Sequence, residues 1–181
     1  MHYIKHVLLK KRRIMNKVNG TQASFAPVRE DGSRITICYG LKKLSKDLYE
    51  WFEVYLPKKQ MPQLTFDVVK AAIINDIDER VKEKIISGMV WNGKPVWYSI
   101  ENQLNFTQAV APVTLKIGEQ EDGTAIYEDF DTEEKLTAFC AACNNHKQES
   151  LTAGWTEKDG IDWEPYQALF PNETPTQEGE E

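Results

Sequence analysis

At 181 residues the chain fits one domain with appendages or at most two small ones, and 41% hydrophobic and 10% aromatic content suffice for a core without metal or disulfide staples. A formal net charge of −6 and a pI near 5.2 argue against a general nucleic-acid binder, whose affinity comes from neutralising phosphates. Three cysteines cannot all pair and form no framework, so a reducing cytoplasm is expected; the short apolar run HVLL is neither a signal core nor a membrane span.

The opening, residues 1–14, carries Lys5, Lys10, Lys11, Arg12 and Arg13 and no acid. It reads as a basic arm, as a short docking element, or as an over-long start with Met15 as the natural initiator. Residues 15–60 read as an N-terminal β-module. Within it, TQASFAPVREDGSRITICYGL forms a hairpin around Asp31-Gly32, and DLYEWFEVYL (Asp47 to Leu56) is a strand. In that strand Tyr49, Trp51 and Glu53 share one face and Glu50, Phe52 and Val54 the other, with both faces expected to touch protein. PKKQMPQ then breaks the strand, and the segment from Lys58 to Gln63 is the expected boundary with an α+β domain at residues 61–170.

That domain opens on a long helix from Thr65 to Gly88. Thr65 caps it, Phe66, Val69, Ile73, Ile77, Val81 and Ile85 form its core stripe, and Asp76, Glu79, Lys82 and Glu83 its solvated face. A second hairpin turns at Asn92-Gly93, followed by a short helix, IENQLNFTQAVA, capped by Ser99. A third hairpin has Asp122-Gly123 near its tip. The next long helix has a capping-box spacing at Asp131 and Glu134, and Gly154 stands where a C-terminal glycine belongs. An irregular aromatic segment closes the domain, and residues 171–181 read as a disordered acidic tail. Hairpins alternating with helices, without a βαβ rhythm, give an α+β fold: antiparallel hairpins packed with two long helices and one short helix.

FCAACNNHK looks most like chemistry. Leu136, Phe139, Cys140 and Cys143 follow helical core spacing, however, and free cysteine packs as a small hydrophobe. At a rise of about 1.5 Å per residue, Cys140 and His146 stand roughly 9 Å apart along a helix, too far to share one tetrahedral zinc. The expectation is two mostly buried thiols, no metal and no cofactor. No phosphate-cradling loop or nucleophile elbow appears, so no enzyme is expected, and no catalytic residues. A metal- or thiol-dependent enzyme at this helix is the remaining enzymatic alternative. Candidate binding residues are Trp91, Trp97, Trp155 and Trp163, which combine contact area with a polar handle, and the amides Asn102 and Asn105, with Gln103 between them. Trp155 and Trp163 with nearby amides also allow a glycan- or peptide-binding reading.

The stretch VKEKIISGMVWNGKPVWYSIENQLNFTQAV, then a hairpin, then FDTEEKLTAFCAACNNHKQESLTAGW and IDWEPY, resembles proteins encoded in prophages of Bacteroides-type gut bacteria. More loosely it is similar to a domain family found among tail and tail-fibre genes of tailed phages. That pattern is met by Val90 to Gly93, Trp97, His146, Gly154 and Trp155, and covers roughly residues 65 to 166. The resemblance implies a non-enzymatic tail-region protein, either a virion tail component or an accessory to tail-fibre assembly. Its expected partners are other tail proteins or a fibre, with homo-oligomerisation following from the symmetry of tail parts; neither membrane nor nucleic acid is an expected partner. Its expected place is the bacterial host cytoplasm during synthesis and, for a built-in part, the virion.

Overall fold

A computed structural model describes residues 17–171. The basic opening and all but the first residue of the acidic tail lie outside the described residues. The fold is α+β, with antiparallel strands throughout. It divides into two compact units, residues 17–76 with 160–171, and residues 77–159. The sequence places a boundary at Lys58–Gln63. That stretch is a 3-10 turn leading into helix α1 (Phe66–Ser87), whose first half belongs to the first unit, as do the closing residues from Gly160 onward.

In the first unit, β1 (Lys17–Gly20), β2 (Val28–Asp31), β3 (Arg34–Lys43) and β4 (Tyr49–Pro57) form one sheet in the order β1-β4-β3-β2. The β2–β3 hairpin forms as expected, but its two-residue turn is Gly32-Ser33 rather than Asp31-Gly32: Asp31 still pairs with Arg34, and Gly32 takes the positive φ. Register and the two-residue strand period place Ile35, Ile37 and Tyr39 on one face with Phe52 and Val54, and Thr36 and Cys38 on the other with Trp51 and Glu53. Ile35 to Tyr39 are all buried, so β3 is covered on both sides. On the first face, Tyr39 OH donates to Asp76 Oδ2 of α1 at 2.6 Å; Asp76 is a hydrogen-bond anchor rather than part of a purely solvated face. On the second, the β1–β2 connection brings Phe25 edge-on to Trp51, ring centres 6.0 Å apart. Gly20 makes room for that indole, since a Cβ there would lie 2.4 Å from Trp51 Cη2. Beyond the start of β2, Tyr166 OH donates to the Cys38 carbonyl at 2.6 Å, supplying a partner where the ladder has ended.

In the second unit, β5 (Met89–Trp91) and β6 (Lys94–Val96) form a hairpin whose Asn92-Gly93 turn takes positive φ at both residues, as a type I′ turn requires. Helix α2 (Ile100–Gln108) follows, with Ser99 Oγ accepting from Asn102 N as expected of its cap. Then come β7 (Val113–Glu119) and β8 (Ala125–Phe130), paired with a bulge between Lys116 and Gly118. A backbone bond, Trp97 N to Ile117 O at 2.7 Å, links the two hairpins. Ile85, Met89, Val96, Phe106, Ile117, Phe130, Leu136, Phe139 and Cys143 belong to one core.

Helix α3 (Glu133–Asp159) departs from expectation at both ends. Its cap is Thr132, not Asp131: Thr132 Oγ1 accepts from Lys135 N and its carbonyl from Leu136 N. Its interior continues through Gly154, which is buried against Val81 of α1, where a Cβ would sit 2.4 Å from Val81 Cγ2. The glycine is there for close helix approach, not for termination. The closing segment contains one further short helix, α4 (Glu164–Gln167). Among the described residues no helix is long and apolar enough to cross a membrane.

Candidate functional site

The first unit holds a polar cluster on the Trp51 face of its sheet. Glu53 is 3% exposed; its Oε1 accepts from Arg29 Nη2 at 2.7 Å and Trp51 Nε1 at 3.1 Å, and its Oε2 from Tyr55 OH at 2.7 Å. Arg29 also donates to Asp31, which accepts from Thr36 at 2.7 Å, and to Cys38 Sγ. Burial alone would raise the Glu53 carboxyl, but the bonds from Tyr55, Trp51 and Arg29 outweigh it and hold it below the usual carboxylate range. Burial opposes charge on Arg29, yet bonds to Glu53 and Asp31 raise it further. A carboxylate held ionised by three donors is a poor proton donor, and the arrangement ties β2 to β4 across β3.

The thiols are held protonated. Burial pushes Cys143 up to about 12 and Cys38 up to about 11, the latter opposed by Arg29. Burial also raises Cys140, which is half-buried and donates to the Phe106 carbonyl at 3.4 Å. His146 Nε2 lies 2.9 Å from the Lys84 carbonyl, which can only accept, so this nitrogen carries the proton and is a second donor to a carbonyl that Gly88 N already meets at 2.8 Å. Among the described residues, no three or more His, Cys, Asp or Glu side chains are placed to hold a metal ion.

The second unit presents a different kind of surface. Phe106 anchors α2 inward, stacked on Tyr98 and edge-on to Phe139 with centres 6.1 and 5.0 Å apart. Asn102 Nδ2 donates to the Trp97 carbonyl at 2.7 Å and Gln103 Nε2 to that of Tyr98, which fixes the first turn. With Phe106 inward, Ile100 and Leu104, one turn apart, face out at 80% and 56% exposed, and Val110 follows at 70%. Around α2 from Ile100 and Leu104 opens a hollow of about 470 Å³ lined by Asn102, Asn105, Phe106, Gln108, Ala109, Val113, Leu115 and Lys116. Lys116 is paired with Glu119 at 2.6 Å. Elsewhere in this unit, Glu128 is kept ionised by Lys94 at 2.5 Å, despite burial, pinning the β5–β6 tip to β8.

Asn102 and Asn105 are therefore brought together at the hollow, and Trp97 joins them through its carbonyl. Trp91 is half-buried, its ring edge-on to Phe139 at 5.3 Å. Trp155 is 55% exposed on α3. Trp163 belongs to the other unit and packs against Phe66 and Tyr166 with centres 6.1 and 5.9 Å apart. Ile100, Leu104 and Val110 are absent from the sequence-based candidates, because aliphatics at helical spacing read as core. The signal that could have found them is the N–Q–L–N alternation, which leaves no wholly polar face on α2. Comparison with protein-family models, curated proteins and solved structures finds no match.

Proposed function

We infer that the chain is a non-enzymatic protein–protein interaction module of a tailed-phage tail region, a virion tail component or an accessory to tail-fibre assembly. One observation supports the interaction role above all: Ile100 and Leu104, one turn apart on α2, stand exposed, with Val110 exposed just past the end of the helix. Exposed aliphatic surface of this kind is what partners cover. The Glu53 and Glu128 clusters are already consumed in internal bonds, which favours binding over a reaction. The tail-region assignment rests on the sequence resemblance. Mixing the purified protein with each tail protein encoded beside it, and following complexes by light scattering, tests both parts. A stable complex that Leu104→Ser weakens is expected. Failure to bind any of them, or a gene flanked by metabolic genes, would count against the assignment.

The exposure of Trp155 favours glycan recognition as a second reading. Glycan-array binding abolished by Trp155→Ala would support it over the first.

A further inference from the structure

The second unit carries eight Lys and Arg against fifteen Asp and Glu, a formal net charge of −7. Part of that charge borders the exposed aliphatic row. Glu101 lies on α2 beside Ile100. Glu133 reaches back to accept from Ala111 N at 3.0 Å, next to Val110. Glu133 is also favoured by its place in the first turn of α3, and its bond to Ala111 N keeps it next to Val110.

Hydrophobicity and charge together select the occupant. The aliphatic row calls for apolar side chains. Asn105, exposed at the edge of the hollow, offers a donor and an acceptor, the pair that every peptide unit of an extended chain also presents, whereas Asn102 is turned away from the row and holds the Trp97 carbonyl. A second copy would set the same acidic surface against itself, and an acidic partner would meet the same repulsion. Building on the interaction role above, we propose that this surface seats a basic peptide segment of a partner protein. Its aliphatic side chains cover Ile100, Leu104 and Val110, its main chain meets the amide of Asn105, and its flanking Lys or Arg residues face Glu101 and Glu133.

Selection from a randomised peptide library on the full chain, with affinities of the enriched peptides measured by fluorescence anisotropy, tests this directly. Enriched peptides should carry aliphatic residues flanked by Lys or Arg. Leu104→Ser and Ile100→Ser should each weaken them about tenfold or more, the loss expected when a buried aliphatic side chain is removed. Binding should weaken as salt shortens the screening length from about 10 Å at 0.1 M to about 3 Å at 1 M. Glu101→Lys should shift the preference toward acidic flanks. All three positions are exposed, so circular dichroism should show an unchanged fold, and a variant that unfolds leaves the other two to decide. Enriched peptides with acidic flanks that still lose affinity in Leu104→Ser would overturn the basic partner while sparing the interaction surface. Peptides indifferent to the serine substitutions, or no enrichment at all, would overturn the proposal; absence of any complex with tail proteins would separately remove the interaction role.

Discussion

Gly154→Ala isolates the packing of α3 on α1 within the second unit. By helix propensity alone the substitution gains about 1 kcal/mol. The new Cβ would lie 2.4 Å from Val81 Cγ2, against 3.6 Å from Val81 Cβ and 3.7 Å from Cγ1. Carbon contacts are most favourable near 3.5–4.0 Å, so one methyl is about 1 Å too close while the rest of the side chain is well placed. Val81 is β-branched and stiff on its helix, so relief comes from backbone separation, with overpacking costs of about 1–3 kcal/mol. The net expectation is destabilisation by about 1 kcal/mol, or about 2–4 °C in Tm. Val81→Ala removes the offending methyl, and in that background Gly154→Ala should stabilise by up to about 1 kcal/mol, a coupling near 2 kcal/mol. Urea unfolding of the four proteins of the cycle measures it. If Gly154→Ala stabilised both backgrounds equally, the close approach would be refuted.

Three further outcomes follow from the clusters. Glu53→Gln removes the charge that Arg29 faces and should cost about 2 kcal/mol at pH 7, less than a fully buried pair because Arg29 keeps 32% of its side chain exposed. The Glu53 pKa is lowered in the fold, so its contribution is present above the unfolded value near 4.3 and lost as pH falls through the folded value; the gap between wild type and Glu53→Gln should narrow as pH falls below about 4.3 and close once pH is below the folded value, and a gap independent of pH would contradict the ionised carboxylate. With Cys38 near 11 and Cys143 near 12, under about one thiol in a thousand is ionised at pH 8 at either site, so a thiol reagent should label at most Cys140 in the native protein and all three after denaturation. His146→Ala should cost only about 0.5 kcal/mol, since the Lys84 carbonyl loses its second donor but keeps Gly88 N, with His146→Gln recovering part of it in thermal melts.

What was legible in the sequence was local. The Asn92-Gly93 turn, the Thr65 and Ser99 caps, and the stripe from Val69 to Ile85 follow from spacing alone, because each depends on neighbours a few residues away; the first hairpin was legible too, but its turn falls one residue later, at Gly32-Ser33. The pairing of β1 with β4 depends on residues about thirty positions apart, and no turn signal announces it. Gly154 shows the ambiguity of a glycine: ending a helix and admitting a neighbour call for the same residue, and only the position of Val81 decides between them. Asp131 had the capping spacing, but Thr132 next to it took the role. Glu53, alternating with Trp51 and Tyr55, carried a visible oddity, a charge on an aromatic strand, whose partner Arg29 lies two strands away. At the candidate surface the amides were legible and the aliphatic row was not, since Ile100 and Leu104 have the spacing of buried residues and differ only in having Phe106 take the inward position.

The central claim is that the exposed α2 surface is where a partner binds. The dissociation constant of the complex with a tail protein, measured by calorimetry for wild type and for the Ile100→Ser/Leu104→Ser double variant, tests it most directly. Leu44→Ser, at a 44% exposed leucine in the other unit, serves as the control. The account predicts a loss of more than about tenfold for the double variant. For the control it predicts a change within about twofold. Equal affinities for wild type and the double variant would contradict it.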